Sequence, residues 1–378
     1  MTKAAELAKM GEVLTNSQIG GRRNMVINGA MQVAQRATSA TGLGSSDPAY
    51  QTLDRFRMNI GGTSAGRFTM AQVADVHDGF ANALKLTCTT ADTSIAADEL
   101  LSLQTRLEAQ DLQQLKKGTS DAEKVTVSFY VKANASATYT LELEDENSRR
   151  IADEFSVTTN WTRVVKTFGG DTSGSLGDDN ALGLSINIFL HGGSNFTSGT
   201  FSANTWESVS NTTRLSDNQT SFFDSTDRTF FITGLQMEVG EQATPFEHRS
   251  FGEELALCQR YYWKSLNYAT APADNISNSD GLHSDGFGSW TAFSSTGIRS
   301  AFIYNPVAMR GDPTVTLFSS ARANTANTPA FYDGSWAAVS SPVLESGELR
   351  IGIEAAVSSV TANESFLFAG GYQCDSEL

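Results

Sequence analysis

The sequence predicts a mainly β protein: a short N-terminal helix, a β-sandwich, a connecting helix and a second, C-terminal β-sandwich. Short runs in which apolar and polar residues alternate recur along most of the chain, separated by turns rich in Gly, Ser, Thr and Asn. Only 18% of the 378 residues are charged, while 32 are glycine. That profile is typical of sandwiches joined by turns rather than of helical bundles. The length allows two or three domains.

The first 50 residues are predicted to form a short helix and a linker. Within residues 2–16, Leu7, Met10 and Leu14 are spaced by three and four residues, as in the seam of a coiled coil. Two heptads are too short to be stable alone. We therefore expect a homo-oligomer, in the form of a trimer, held by these three residues; the alternative is a helix docked on its own domain. Asn28-Gly29 then predicts a hairpin.

Residues 51–250 are predicted to form the first sandwich. Residues 37–50 are rich in Ser, Thr and Gly and indicate a loop. About nine alternating runs follow, which favours a sandwich or jelly roll. The predicted strands are Arg55–Ile60, Arg67–Met70, Ala83–Cys88, Leu101–Leu107, Lys124–Lys132, Tyr139–Glu144, Trp161–Phe168, Leu182–Leu190 and Phe230–Val239.

Residues 251–264 are predicted to form the connecting helix. Pro245 ends the preceding strand because it has no N–H to donate. Ser250 and Glu253 then form a capping-box pattern. One apolar stripe on the helix consists of Phe251, Leu255, Cys258 and Tyr262.

Residues 265–378 are predicted to form the second β domain. Loops rich in Gly, Ser and Asn separate its alternating runs. The predicted strands are Arg299–Tyr304, Val315–Phe318, Glu348–Ile353 and Glu364–Gly370.

Charge and cysteine content exclude several classes of function. A net charge of −15 disfavours nucleic acid and anionic membranes as partners. The three cysteines form no C-x-x-C pair, so we expect buried thiols rather than a zinc or redox site. The N-terminus has no apolar signal region, and no run approaches the ~18 apolar residues of a membrane span.

No motif predicts catalysis. Gly62-Thr-Ser-Ala-Gly66 matches G-x-S-x-G, but that motif needs a strand before Ser64 and a helix after it. Here it stands between two strand-like runs, which favours a hairpin loop. The four histidines have no zinc-type spacing, and no solenoid repeat is present. We therefore expect no enzyme.

Two kinds of loop are candidate binding sites. Asp171, Asp178 and Asp179 in one loop could hold a structural calcium ion, or they could be solvated turn residues; we expect no other cofactor. Tryptophans in polar, turn-like stretches are not explained by strand alternation, and they could stack on sugars, anchor loops or contact another subunit. These candidate glycan-binding residues are Trp206, Trp290 and Trp336. Trp161 begins an apolar strand and is expected in the core.

Two stretches carry a resemblance. Thr233-Gly-Leu-Gln-Met-Glu-Val-Gly240, followed by Ala243-Thr-Pro-Phe-Glu247, resembles the closing strand of the carbohydrate-binding-like jelly-roll domains of bacteriophage tail proteins. Residues 247–262 are similar to the helix that follows this domain in tail fibres of marine tailed phages. The order of strands matches over nearly all of residues 52–249.

This resemblance implies a structural protein of the virion, made in the host cytoplasm without a signal peptide. It would be a short tail fibre that attaches to other phage tail proteins and presents its β domains to host-surface glycans, without membrane insertion. The alternative is a structural tail adaptor or capsid decoration protein with no sugar site. A polysaccharide depolymerase is a third possibility, because one fold serves several functions.

Overall fold

A computed structural model of the protein describes residues 3, 22–45, 47, 49–277, 290–300 and 302–378. The predicted helix seam of Leu7, Met10 and Leu14 lies outside these residues. The chain divides into two compact units, each treated by itself below. One comprises Met1–Gln32 and Ser39–Ser250, and the other comprises Val33–Thr38 and Phe251–Leu378. Within the described ranges, no helix has the length and apolar character to cross a membrane.

From residue 22 onward, the described part of the first unit consists of antiparallel strands with three short helical segments. The helical segments are a 3-10 helix at Ala109–Leu115, the four-residue helix α1 at Ser194–Thr197 and a 3-10 turn at Asn211–Thr213. The strands are β1 (Ser39–Leu43), β2 (Arg57–Gly61), β3 (Arg67–Val73), β4 (Ala83–Thr90), β5 (Leu100–Glu108), β6 (Val125–Ala133), β7 (Ala137–Asp145), β8 (Arg149–Val157), β9 (Thr162–Phe168), β10 (Leu182–Gly192), β11 (Glu207–Ser208) and β12 (Thr229–Val239).

These strands form the predicted sandwich. The first sheet has the order β1-β3-β4-β12-β6-β9, and the second has the order β11-β8-β7-β10-β5-β2. Aromatic rings join the two inner faces: Phe129 of β6 lies 5.2 Å from Phe155 of β8. Tyr139 of β7 meets Phe230 of β12 at 5.6 Å in the same way. Alternate residues of each strand therefore fill one core, and the others point outward.

The sequence predicted a hairpin loop around Ser64, and this prediction is wrong. β2 pairs with β5 in the second sheet, whereas β3 pairs with β1 and β4 in the first. The loop between them therefore crosses from one sheet to the other. The Ser64 hydroxyl donates to the Asp92 carboxylate at 3.0 Å, and the Gly66 N–H donates to the Ser64 hydroxyl. These bonds shape the crossover turn.

The prediction of a hairpin at Asn28-Gly29 is wrong as well. Residues 22–36 form no strand; instead, residues 24–29 lie along β12. The Met25 N–H donates to the Met237 carbonyl, and the Leu235 N–H donates to the Gly29 carbonyl. A Cβ atom on Gly29 would lie 2.0 Å from the Leu235 oxygen, so only glycine permits this close approach.

The second unit begins with helix α2 (Phe251–Gln259) and continues as β-strands. They are β13 (Tyr262–Lys264), β14 (Trp290–Ser294), β15 (Gly297–Arg299), β16 (Ile303–Tyr304), β17 (Thr314–Phe318), β18 (Ala330–Tyr332), β19 (Trp336–Ala338), β20 (Ser340–Ser346), β21 (Arg350–Ala356), β22 (Ser365–Ala369) and β23 (Gly371–Asp375).

These strands form a second sandwich. A three-stranded sheet has the order β13-β23-β17, and a larger sheet has the order β16-β21-β15-β14-β22-β18-β19, in which β20 also pairs with β21. One apolar core joins them, and it includes Trp263 and Tyr372 of the small sheet with Trp290 and Phe368 of the large one. The mainly β prediction is thus confirmed in both units.

The apolar stripe predicted for the connecting helix is only partly correct. Helix α2 ends at Gln259, and Tyr262 belongs to β13. Phe251 is 46% exposed, whereas Glu254 is 4% exposed. The buried face therefore passes through Glu254 and Cys258 and not through Phe251.

Candidate functional site

Trp290 cannot present a ring to a sugar. It is fully buried in the core of the second unit. Its indole stacks on Phe368 with 4.4 Å between ring centroids and 11° between the planes. The prediction of a glycan contact at Trp290 is therefore wrong, because strand β14 begins at this residue and turns its side chain inward.

Trp206 anchors a loop of the first unit. Its indole N–H donates to the Gly169 carbonyl at 2.7 Å, and the Lys117 ammonium lies 5.6 Å from the ring centroid. The ring borders a cavity of about 20 Å³ that Leu115, Leu143 and Leu184 also line. Such a cavity has room for about one water molecule and not for a sugar.

Trp336 remains at the surface of the second unit. It lies opposite Tyr332 in the β18–β19 hairpin, and the two rings are 5.4 Å apart. The Arg322 guanidinium lies 4.6 Å above the indole. Tyr332 is 39% exposed. Of the three predicted tryptophans, Trp336 is the one whose surroundings suit a stacking contact.

A larger aromatic surface, which the sequence did not predict, lies on the outer face of the first sheet. We call it the aromatic stripe, and define it as His77, Phe80, Tyr130, Trp161, Phe231, Phe246 and His248. All but Phe231 are at least partly exposed. Five of these rings form one connected group; the other two are Phe231 on β12 and Trp161, which contacts Phe231.

The connected group centres on Tyr130 and Phe80. The His77 ring lies 4.1 Å from the Tyr130 ring, and Phe80 lies 5.6 Å from it on another side. Phe80 also contacts Phe246 at 5.1 Å and His248 at 5.2 Å. The stripe therefore joins residues from three distant parts of the chain, so no local sequence motif predicts it.

A glycine makes room for Phe80. Gly234 interrupts β12 at a register shift and has a φ of +64°, in the left-handed region. A Cβ atom there would lie 2.6 Å from the Phe80 ring and 3.0 Å from Tyr130. The bulge in β12 thus allows the Phe80 ring to approach the strand at Gly234.

Cationic side chains border the other end of the stripe. Phe231 lies between the Lys85 ammonium, at 5.2 Å from its centroid, and the Lys132 ammonium, at 4.7 Å. Trp161 meets Phe231 at 6.1 Å. The prediction that Trp161 lies in the core is wrong, since it precedes β9 and is only partly buried.

Several polar atoms of the stripe are free to bind a ligand. The His77 Nδ1 donates to the Asp78 carbonyl at 2.8 Å, which leaves Nε2 as an acceptor. No described residue bonds to the Tyr130 hydroxyl. The Trp161 indole N–H is buried and has no hydrogen-bond partner among the described residues. Because that N–H is buried, the atoms open to a ligand are the His77 Nε2 and the Tyr130 hydroxyl.

An open groove adjoins the stripe. It has a volume of about 710 Å³ and lies between β8 and β9, at the edges of the two sheets. Polar side chains line most of it, including Asp153, Glu154, Arg163 and Lys166. Arg163 belongs to both surfaces, because its guanidinium also lies 5.8 Å from the Tyr130 ring. This volume is within the range of small-molecule sites, about 300–1,000 Å³.

The outer face of the second sheet of the first unit, unlike the aromatic stripe, carries a buried row of polar side chains. Its register places Gln104, Asn187 and Glu142 side by side on β5, β10 and β7. Burial raises the pKa of Glu142, and the Arg214 guanidinium opposes that rise with a 2.6 Å contact. All three side chains are at most 6% exposed. This row is therefore enclosed and offers no open face to a large ligand.

Asp171 does not suit the calcium ion considered from the sequence. Lys117 lies 2.9 Å from its carboxylate, and Arg149 contacts both of its oxygens at 2.7 Å and 3.0 Å. A calcium ion there would meet two positive charges. Asp178 and Asp179 are exposed, and among the described residues no three His, Cys, Asp or Glu side chains are grouped as metal ligands.

Comparisons with known proteins give only distant similarities. No family model and no curated protein matches the chain. Among solved structures, it is similar to a CBM4 structure at 12% identity and a TM-score of 0.28, covering 56% of this chain and 98% of the other.

Two further solved structures are similar at the same level. A family 11 carbohydrate-binding module from Clostridium thermocellum, in complex with a β-1,3-1,4-mixed-linked tetrasaccharide, has 11% identity and a TM-score of 0.27 over 57% of this chain and 99% of the other. The enzymatically active domain of bacteriophage CBA120 tailspike protein 4 has 12% identity and a TM-score of 0.29, over 57% of this chain and 21% of the other. Similarities this distant assign neither a family nor an activity to the chain.

Proposed function

We propose that this chain is a short tail fibre of a tailed-phage virion, and that its first unit binds a glycan on the host surface. The observation that carries the glycan-binding part is the aromatic stripe beside an open polar groove, joined at Arg163. The sequence resemblance to phage tail proteins supports the virion part.

The stripe has the two features that sugar recognition needs. The rings of His77, Tyr130 and Phe80 provide faces on which the C–H groups of a pyranose can pack. Polar groups at the edge, including the free Tyr130 hydroxyl and the Arg163 guanidinium, can bond to sugar hydroxyls. Because burying these rings against a ligand removes apolar surface from water, stacking stabilises the complex.

The groove allows more than one sugar to bind. Asp153 and Lys166 form an ion pair there at 2.7 Å, and the Asn204 amide donates to the same carboxylate. Side chains held in this way are oriented before a ligand arrives, which lowers the entropy cost of binding. We propose that a glycan chain starts on the stripe and continues into the groove.

Several copies of the fibre would increase attachment through avidity. Weak sites on one particle engage together, so the overall affinity exceeds that of each site. This part of the proposal requires a homo-oligomer, in the form of a trimer, that attaches to other tail proteins.

Binding to host-surface polysaccharide tests the proposal. We expect the purified protein to bind the polysaccharide, to adsorb to host cells and to block infection by competition. Trp161→Ala should weaken polysaccharide binding, adsorption and competition. Phe251→Ala is the control and should weaken none of them, because Phe251 is an aromatic residue of the second unit that is also exposed, by 46%. A protein that binds no glycan and leaves infection unchanged would instead support the adaptor or decoration role.

A further inference from the structure

Exposed apolar side chains are concentrated in the second unit. Of the eleven large apolar residues that are exposed in the described part of the chain, nine belong to this unit. The most exposed of them are Tyr304 at 68%, Leu349 at 61% and Val343 at 59%. Contiguous apolar patches on a soluble protein mark interaction sites more often than chance exposure does.

Four of these side chains lie on one face of the large sheet. Ile303 and Ile351 are partners in register, and both pack into the core. Because side chains alternate along a strand, Phe302 and Tyr304 point outward. Phe293 follows the buried Ala292 on β14 and is 48% exposed. We call this surface the outer patch, formed by Phe293, Phe302, Tyr304 and Val343, with Leu349 at its edge.

Charged residues of both signs stand among these side chains. Arg350 lies opposite Tyr304, and its guanidinium lies 3.7 Å from the Phe302 centroid. Arg299 lies opposite Glu354 in register, yet its guanidinium is 5.7 Å from the Phe293 centroid. Glu345 is exposed on the neighbouring strand β20, opposite Gly352.

None of these four charges has an ion-pair partner within the described chain. The ion pairs of the described chain involve other residues, and the side chains of Arg299, Glu345, Arg350 and Glu354 take part in none of them. The outer patch therefore offers two positive and two negative groups around an apolar centre. A surface with equal numbers of both charges complements a second copy of itself better than it complements a partner of one charge.

We propose that the outer patch is the surface through which copies of this chain associate, with Tyr304 at its centre. The four charged residues pair between copies, and the aromatic side chains pack against those of the neighbour. A patch that pairs with its own copy joins two chains about a two-fold axis, so this contact is distinct from the interface of the proposed trimer, and it does not depend on glycan binding.

Sedimentation of the full-length protein tests this inference. We expect the wild type to be an oligomer at micromolar concentration, and Tyr304→Glu to raise the dissociation constant roughly 30-fold or more, the scale of a central tyrosine contact. Val165→Glu is the matched control, because Val165 is 45% exposed in the first unit. Circular dichroism should show that both variants are folded.

Charge reversal distinguishes self-association from other uses of the patch. Arg350→Glu should weaken association, and adding Glu345→Arg in the same chain should restore it, because each copy then carries the reversed pair. A monomeric wild type, an oligomer unaffected by Tyr304→Glu, or a double variant that is not restored would each overturn the inference. Glycan binding, measured separately on the Tyr304→Glu protein, should be unchanged for each binding site, so that failure of one proposal is not read as failure of the other.

Discussion

The imidazole of His77 lies against the phenol ring of Tyr130, with 4.1 Å between the ring centroids and 31° between the planes. The two residues are 53 positions apart in the sequence, so only the folded chain brings them together. Both rings keep a partly exposed surface. This pair is the part of the first unit that we expect to contact a sugar.

Replacing Tyr130 should show whether its ring or its hydroxyl binds the glycan. Tyr130→Ala removes the stacking face, and we expect the dissociation constant for the polysaccharide to rise about tenfold or more, equivalent to ~1.4 kcal/mol. Tyr130→Phe keeps the face and removes one hydroxyl, so its effect should be smaller. Isothermal titration with host polysaccharide measures both. Equal effects of the two variants would contradict a stacking role.

Gly234 is expected to be essential for the packing of Phe80 and Tyr130 in the aromatic stripe. Gly234→Ala places a side chain in a left-handed conformation and against the Phe80 ring. We expect the free energy of unfolding to fall by about 1–3 kcal/mol, as for other strained backbone positions. Gly252→Ala in helix α2 is the control, since nothing lies within 4 Å of the added atom and alanine favours a helix. Urea denaturation measures both, and an unchanged stability of Gly234→Ala would contradict the predicted strain.

Much of the fold could be predicted from the sequence because strand alternation is a local signal. All nine predicted strands of the first unit have a counterpart, for example Lys124–Lys132 in β6. Strand β8 was missed because it reads Arg-Arg-Ile-Ala-Asp-Glu-Phe-Ser-Val, where Asp153 shares the alternate positions of Ile151 and Phe155 and so breaks the apolar pattern. Strand β1 lies in a stretch whose Ser, Thr and Gly content indicated a loop.

The candidate site was harder to predict because it depends on contacts between distant residues. Trp290 and Trp336 stand in similar Gly-Ser-Trp contexts, yet one is in the core and the other at the surface. In the sequence, Tyr130 occupies an outward position of an alternating strand, and Phe80 lies in a loop. Their proximity follows from the pairing of β6 with β12, which periodicity does not reveal.

The buried cysteines should react slowly with thiol reagents in the native protein. Burial raises the pKa of Cys88 to about 11 and that of Cys374 to about 12. Because the thiolate is the reactive form, only about one Cys88 in a thousand is reactive at pH 8. We expect negligible labelling by iodoacetamide at pH 8 and complete labelling in urea. Rapid labelling of the native protein would show that this part of the core opens easily.

Asp171 should make the first unit sensitive to acid. Burial alone would raise the pKa of this carboxyl, but the hydrogen bonds from Arg149, Lys117 and the Ser173 N–H outweigh burial and lower it. A carboxyl whose pKa is lower in the folded state stabilises the protein above its unfolded pKa, about 3.9. That stabilisation is lost as the pH falls through the folded pKa.

The variant Asp171→Asn separates this effect from general acid denaturation. At pH 7 it leaves Lys117 and Arg149 without this carboxylate, and we expect the free energy of unfolding to fall by about 3 kcal/mol, as when a buried pair is broken. The difference between wild type and variant should shrink below about pH 4, where the unfolded wild-type chain begins to bind a proton at Asp171, and it should vanish once the folded carboxyl is protonated as well. Asp178→Asn, at an exposed position in the same loop, should have little effect at either pH. Urea denaturation at pH 7 and pH 3 measures this, and a difference that stays constant across the two would contradict the role of the Asp171 charge.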